Sequence, residues 1–195
     1  MGDGDRREAL PALALGRAGA ADAPEIARLA RGVMEEAWSE RGFADQASKP
    51  GAVLWTARSG ARGELLGFLV GERILDELHV LSVAVAPATR RRGIARSLLA
   101  RALEAASSAG VEVVHLELRA SNRAARSLYE GFGFVAVGRR PRYYRVKGKQ
   151  RAPTPPHDNH DNQNNQNAQN PPNPREDAVL MTPALSAWQN PRPGP

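Results

Sequence analysis

Apolar and polar residues alternate along the chain with two different periods. A period of two predicts a half-buried strand, and apolar residues three or four apart predict the buried face of a helix. Strands are therefore predicted at residues 12–19, 52–58, 64–74, 76–87, 111–120, 133–139 and 175–185. Helices are predicted at residues 24–37, 92–108 and 121–132, and the polar segment 38–51 is predicted to be a loop or a short helix. This order of elements predicts one mixed α/β sheet.

The strand at 76–87 has the clearest alternation. Strict alternation would place one set of side chains on one face (Leu78, Val80, Ser82, Ala84) and the other set on the opposite face (His79, Leu81, Val83, Val85). The helix at 92–108 then links this strand to the strand at 111–120. That is a β-α-β arrangement, and such units place their two strands parallel in one sheet.

The composition changes abruptly after the predicted strand at 133–139. Residues 153–174 contain 10 Asn/Gln and 6 Pro, and such a segment cannot bury enough apolar surface to offset its chain entropy. We therefore expect a single domain at 12–185, interrupted by a disordered insertion at about 148–174. Residues 1–11 and 186–195 are expected to be a disordered N-terminus and tail. Two histidines in the polar insertion make a weak metal site, so no metal is expected.

The charge of the chain is unevenly distributed. Of the formal charge of +6, residues 86–151 contribute +11 from 15 Lys/Arg and 4 Asp/Glu, and the remainder contributes −5. A basic half of this kind attracts phosphates, whether in a nucleotide cofactor, in RNA or on a ribosomal surface. The absence of cysteine excludes disulfides, thiolate metal ligands and a cysteine nucleophile, and it is consistent with the cytoplasm. No apolar run reaches the ~18–20 residues of a membrane span.

The stretch R-R-R-G-I-A at 90–95 places arginines at the start of a predicted helix. The N-terminus of a helix carries partial positive charge, so cations there are unfavourable without an anion. A glycine lets the backbone approach a ligand closely, and the N–H groups that follow point at it. The pattern therefore predicts a phosphate-binding turn, with a solvated basic helix start as the alternative.

Two motifs in order make the chain resemble the GNAT superfamily of acetyl-CoA-dependent N-acetyltransferases. The first is "LSVAVAP" followed by R-R-R-G-I-A, which matches the pattern [QR]-x-x-G-x-[GA], and the second is "ELRASNRAARSLYEGFGF". The resemblance covers about residues 12–146 and 175–185. Further segments resemble the ribosomal-protein-alanine N-acetyltransferases within the superfamily, namely "LDELHVLSVAVAP", "RRPRYY", "REDAVLM" and "AWSERGF". The resemblance implies a GNAT fold, a mixed and mostly antiparallel sheet flanked by helices.

The resemblance also implies how acetyl-CoA is bound. Backbone groups of the strand around Val83, Ala84 and Val85 would bind the pantetheine arm. The pyrophosphate would be wrapped by the turn and the first helical residues, Arg91, Arg92, Gly93, Ile94, Ala95 and Arg96. Asn122 would bond the arm of the cofactor, and its alternative role is that of a plain helix cap.

Acetylation of an amine requires a base, because an α-amino group with a pKa of about 7.7–8.0 is largely protonated near neutrality. The resemblance implies Glu117 as this base and Tyr129 as the acid that protonates the leaving thiolate. The alternatives are a solvent-facing Glu117 and a Tyr129 that only packs under the sheet. Alternation places His115 and Arg119 on the same face as Glu117, and His115 is a second base candidate.

The acceptor is implied by the resemblance alone. It would be the N-terminal alanine of protein eighteen of the small ribosomal subunit, bound as a peptide by a monomeric enzyme without membrane or nucleic-acid partners. Two alternatives remain: a GNAT enzyme for a small-molecule amine, and a non-catalytic module that binds acetyl-CoA or RNA.

Overall fold

The computed structural model describes residues 12–146 and 175–183. In these ranges the strands are β1 (Leu13–Arg17), β2 (Ala52–Ser59), β3 (Leu65–Ile74), β4 (Glu77–Val85), β5 (Val113–Arg119), β6 (Phe134–Arg145) and β7 (Arg175–Pro183). The α-helices are α1 (Ala23–Val33), α2 (Glu40–Ala47), α3 (Ile94–Ser108) and α4 (Arg123–Glu130). The predicted N-terminus, insertion and tail lie outside the described residues, so the domain boundaries stay predictions.

The described strands form one sheet in the order β1-β2-β3-β4-β5-β7-β6. Every neighbouring pair is antiparallel except β4 and β5, which are parallel and are connected through α3. The final strand β7 inserts between β5 and β6. The predicted mixed and mostly antiparallel sheet is therefore confirmed, together with the return of the last strand to it.

Two hydrophobic clusters cover the two faces of the sheet. The first lies under α3, whose Leu98, Leu99 and Ala102 are fully buried, and it includes Tyr129 of α4. The second packs α1 and α2 on the other face, with Phe43 of α2 against Phe68 of β3. Burial of apolar surface contributes about 25 cal/mol per Å², so both clusters stabilise the sheet. The helices α3 and α4 pack on the same face.

The first helix ends earlier than predicted. It ends at Val33 instead of residue 37, and the polar segment that follows forms α2, whose N-cap Ser39 accepts from the Gly42 N–H. Asp22 makes no side-chain cap for α1, because its carboxylate accepts from the Gly19 N–H and pairs with Arg58. The sequence pattern therefore placed the start of the helix within one residue, and the pairing of Asp22 with Arg58 exists only in the folded chain.

The strict alternation predicted for β4 is wrong beyond its middle. Val70 of β3 pairs with Ser82 while Gly71 pairs with Val80, so Leu81 is an extra residue in a β-bulge. An extra residue reverses which side chains face which side. Val80 therefore packs in the α3 cluster, whereas Ala84 packs in the α1 and α2 cluster.

Candidate active site

The bulge lies where β4 and β5 separate. Their pairing ends at Val80 and Leu116, but β4 continues to Val85, and β5 continues to Arg119 with β7 as its partner. A cleft of ≈1340 Å³ opens between them. We call its two sides the α3 wall (the lining residues within 83–85, 90–96 and 122–129) and the β5 wall (the lining residues within 33–38, 79, 115–119 and 140–144). The cleft therefore connects the two faces of the sheet.

The β4 backbone on the α3 wall is directed into the cleft at alternate residues. In an antiparallel ladder, the backbone groups of alternate residues bond to the same neighbouring strand. Because the Ala86 N–H donates to Leu66 of β3, the backbone of Ala84 also bonds to β3, whereas the backbone groups of Val83 and Val85 point away from it. The Val85 carbonyl accepts from Arg90 Nε at 3.3 Å, in agreement with this direction. Val83 and Val85 thus offer backbone groups to a ligand, whereas Ala84 presents only a small buried side chain to the site.

The turn before α3 has an unusual backbone. Arg91 and Gly93 both adopt positive φ, 63° and 79°, and Gly93 is the N-cap of α3. No side chain caps this helix and its first turn holds no acidic residue, so the N–H groups of Ile94, Ala95 and Arg96 are directed at the cleft without a counter-charge. Left-handed turns that precede a helix make concave anion sites. The backbone of this turn therefore suits an anion, and phosphate binding by these residues stays a prediction.

The arginines of this turn are not equivalent. Arg90, Arg91 and Arg96 line the cleft, and Arg96 stacks on the Phe132 ring at 5.0 Å. Arg92 is exposed and is absent from the cleft lining. Arg90 occupies the first position of the motif but was not among the predicted cofactor-binding residues, and its bond to Val85 could be found only in the structure. Ile94 is buried in the core beneath the turn.

Asn122 begins α4 at the edge of the cleft. Its Oδ1 accepts from the Ala125 N–H at 3.1 Å, so the cap interpretation is confirmed. Among the described residues Nδ2 has no partner, and Asn122 lines the cleft. The amide can therefore cap the helix with its oxygen and donate to a ligand with its nitrogen.

Tyr129 lies in α4 at the base of the α3 wall. Its ring is buried and packs on Phe134, with ring centroids 5.8 Å apart, but the residue also lines the cleft. Burial raises the pKa of the Tyr129 phenol to about 12, and the nearby Tyr144 adds to the rise. The hydroxyl therefore keeps its proton throughout the neutral range and can act as a proton donor.

Glu117 lies on the β5 wall with His115 and Arg119, as the alternation predicts. Its Oε1 is 3.0 Å from the Arg140 Nη1, so the carboxylate is paired and only partly exposed. Arg140 in turn lies over the Tyr143 ring at 5.5 Å. The sequence did not identify Arg140 as the partner of Glu117.

Arg119 of β5 connects its strand to three other segments of the chain. Its guanidinium is 2.9 Å from Glu35, which follows α1, and 3.6 Å from Glu176 of β7, and it lies over the Tyr144 ring at 4.5 Å. Burial alone would raise the pKa of Glu176, but hydrogen bonds from Ser121 and the charge of Arg119 outweigh it and lower that pKa.

Burial, together with the charge of Glu117, raises the pKa of Tyr144. This tyrosine ring therefore stays uncharged between Glu117 and Arg119 and supplies an apolar surface to the β5 wall. Since Glu176 also accepts from the Ser121 backbone, next to Asn122, the two walls are physically linked.

Two kinds of feature are absent from the part of the chain that the structure describes. Within residues 12–146 and 175–183, no group of three or more His, Asp or Glu side chains has the arrangement of a metal site. No helix in the same ranges is long and apolar enough to cross a membrane.

The chain is similar to known acetyltransferases. The model of the acetyltransferase (GNAT) family matches residues 23–134. The [ribosomal protein bS18]-alanine N-acetyltransferase of Escherichia coli (strain K12) is 36% identical over 107 residues, which are 55% of this chain and 70% of that protein. The N-alpha-acetyltransferase RimI of Mycobacterium tuberculosis is 38% identical over 120 residues, 60% of this chain and 73% of that protein.

One solved structure is similar to this chain over most of the length of both proteins. The crystal structure of the ribosomal-protein-S18-alanine N-acetyltransferase from Escherichia coli has a TM-score of 0.70 and 25% sequence identity, and the match covers 88% of this chain and 93% of that chain. The predicted fold is therefore confirmed both by the strand order and by this likeness.

Proposed function

Because the chain belongs to the acetyltransferase (GNAT) family and is an acetyl-CoA-dependent N-acetyltransferase, we propose that it acetylates the α-amine of an N-terminal alanine. The proposed acceptor is ribosomal protein S18, the substrate in the names of its bacterial relatives. The names of these relatives favour a protein acceptor over a small amine. We place the reaction in the cytoplasm. One observation supports the acetyl transfer itself: the cleft has the carboxylate of Glu117 on one wall and the protonated phenol of Tyr129 on the other.

The α3 wall fits acetyl-CoA on the evidence of its own backbone. Val83 and Val85 leave N–H and C=O groups unpaired by β3, as an extended pantetheine arm requires. The uncapped start of α3, with Arg91 and Gly93 in left-handed conformations, suits a pyrophosphate. Acetyl-CoA would supply an activated thioester at this wall.

On the β5 wall, Glu117 acts as the general base. It takes one proton from the acceptor ammonium, so that the nitrogen lone pair can attack the thioester carbonyl carbon. Arg140 pairs with Oε1 of Glu117, which leaves the other carboxylate oxygen for the amine. The carbon–sulfur bond then breaks, and the Tyr129 O–H donates its proton to the departing thiolate. The attacking nitrogen loses its second proton as the amide forms, and this proton restores the Tyr129 phenol.

The test is acetyl transfer to an Ala-starting peptide copied from the ribosomal protein S18 of the host, followed by mass spectrometry. The same peptide with a blocked N-terminus is the acceptor control. The proposal expects one added acetyl group on the free α-amine and none on the blocked peptide. Transfer to polyamines or amino acids without transfer to the peptide would contradict the protein acceptor and favour a small amine.

A further inference from the structure

Two histidines of the β5 wall meet a glutamate just outside it, beside the proposed base. His79 of β4 and His115 of β5 are register partners, and their rings are 5.2 Å apart at a tilt of 31°. Both Nε2 atoms converge on Glu77 Oε2, at 3.1 Å from His79 and 3.5 Å from His115. The acetyl-transfer steps described above use none of these three side chains.

These residues continue the line of side chains that begins at Glu117. Glu117 and His115 are two residues apart on the same face of β5, a rise of about 6.6 Å that one water with two hydrogen bonds spans. His79 and His115 line the cleft, whereas Glu77 lies outside its lining with its side chain 44% exposed. The line therefore leads from inside the cleft to bulk solvent.

A proton taken from the acceptor has to leave each time the enzyme turns over. Arg140 covers one side of Glu117, and a bound acceptor would cover another, so direct contact of Glu117 with bulk solvent is reduced. An imidazole can accept a proton at one nitrogen and release one from the other near neutral pH. The protein places such a group between Glu117 and an exposed carboxylate.

We propose that His115, oriented by Glu77 and His79, relays the acceptor proton from Glu117 to solvent. The ammonium N–H bond breaks as Glu117 takes the proton. The proton then passes through a water to one ring nitrogen of His115, and the other nitrogen releases a proton to Glu77, which gives it to bulk water. No electrons are transferred, and exchange of the ring protons with water restores the starting tautomer before the next turnover. The relay rests on the proposed role of Glu117.

Charged groups of neighbouring elements surround the two histidines of this relay. Glu72 of β3, held by Lys49 after α2, lies near His79, and its pKa is lowered chiefly by the hydrogen bond from Lys49. On the opposite side, Arg119 shares the β5 face and Arg140 approaches from β6. The two arginines are paired with carboxylates, so the histidines face carboxylates from β3 and β4 and no unpaired cation among the described residues.

The experiment measures kcat at neutral pH for His115→Ala with and without added imidazole. We expect kcat to fall on the order of tenfold and to be restored by imidazole, because a small base can replace a missing proton relay. His115→Phe keeps the ring shape and should be equally slow. It should gain less from imidazole, because its ring fills the space. Glu77→Gln should be slowed less, and Glu112→Gln, an exposed carboxylate outside the cleft, is the matched control.

The outcomes separate the relay from the proposed function. The acceptor is whichever amine the unmodified enzyme acetylates, since its proton must leave in either case, and enzyme-free reactions correct for acetylation of imidazole. Full kcat in His115→Ala, or a loss that neither imidazole nor a higher buffer concentration reverses, overturns the relay. Full kcat in Glu117→Gln would instead show that Glu117 is not the base, and it would overturn the relay together with the proposed role of Glu117.

Discussion

The two walls of the cleft are built in different ways. The α3 wall relies on backbone: two residues of β4, a left-handed turn and the first N–H groups of a helix. The β5 wall relies on side-chain pairs that join distant segments, such as Glu117 with Arg140 and Arg119 with Glu35. A backbone site needs only a short motif in one stretch of sequence, whereas a site made of ion pairs needs the whole sheet in register.

The difference suggests a division of labour. A backbone cradle recognises one constant chemical group, here the proposed pantetheine and pyrophosphate, with little dependence on side chains. Charged side chains can differ between proteins of one fold, so they suit the selection of an acceptor. Variants on the β5 wall should therefore change catalysis and acceptor use. Variants at β4 and the turn of the α3 wall should change acetyl-CoA binding, whereas Tyr129, the proposed acid on that wall, should affect catalysis.

The largest effect is expected for Glu117→Gln. Removing a general base costs on the order of 10²–10⁴-fold in rate, so kcat should fall by that range while acetyl-CoA affinity stays unchanged. Steady-state kinetics and calorimetric binding of acetyl-CoA measure the two quantities, with Glu112→Gln as control. A variant that keeps more than half of the kcat would remove Glu117 from the proposed role.

Tyr129→Phe should have the next largest effect. It removes a proton donor but keeps the ring that packs on Phe134, so we expect kcat to fall about 100-fold with the melting temperature nearly unchanged. Kinetics together with thermal unfolding check this. A large loss of stability with unchanged kcat would show that Tyr129 only packs under the sheet.

Arginines of the turn should separate by position. Charge-assisted hydrogen bonds contribute about 1.5–3 kcal/mol each, so Arg91→Ala should raise the KM for acetyl-CoA on the order of tenfold and leave the acceptor KM unchanged. Arg92→Ala is the matched variant, and we expect a smaller change because Arg92 is outside the cleft lining. Equal effects would mean that Arg92 also reaches the cofactor. An effect on the acceptor KM alone would contradict the division of labour.

The smallest effect is expected for Glu35→Gln. Its pair with Arg119 is half exposed, and such pairs contribute about 0–1 kcal/mol, so the acceptor KM should change by up to about fivefold. The KM for acetyl-CoA should not move. Glu40→Gln, an exposed residue at the start of α2, serves as the comparison. A changed acetyl-CoA KM would show that the link through Glu176 and Ser121 transmits between the walls.

Sequence reasoning succeeded where chemistry and order lie in one short stretch. The start of α3 at the basic turn, the face of Glu117 and the cap at Asn122 each depend on residues within a few positions of one another. It failed in β4, because a bulge at Leu81 depends on the register with β3 and leaves no mark in the alternation itself. It also missed Arg90 and Arg119 as connecting residues.

The sequence by itself determined the order of strands and helices, the basic turn and the identity of the candidate base and acid. Only the tertiary structure decided that Arg140 meets Glu117, because β7, from a distant part of the chain, lies between β5 and β6 and sets their register. It also decided that two histidines share Glu77. Periodicity is local, whereas pairing between strands depends on the packing of the entire sheet, so the contacts that form the β5 wall exist only once the chain has folded.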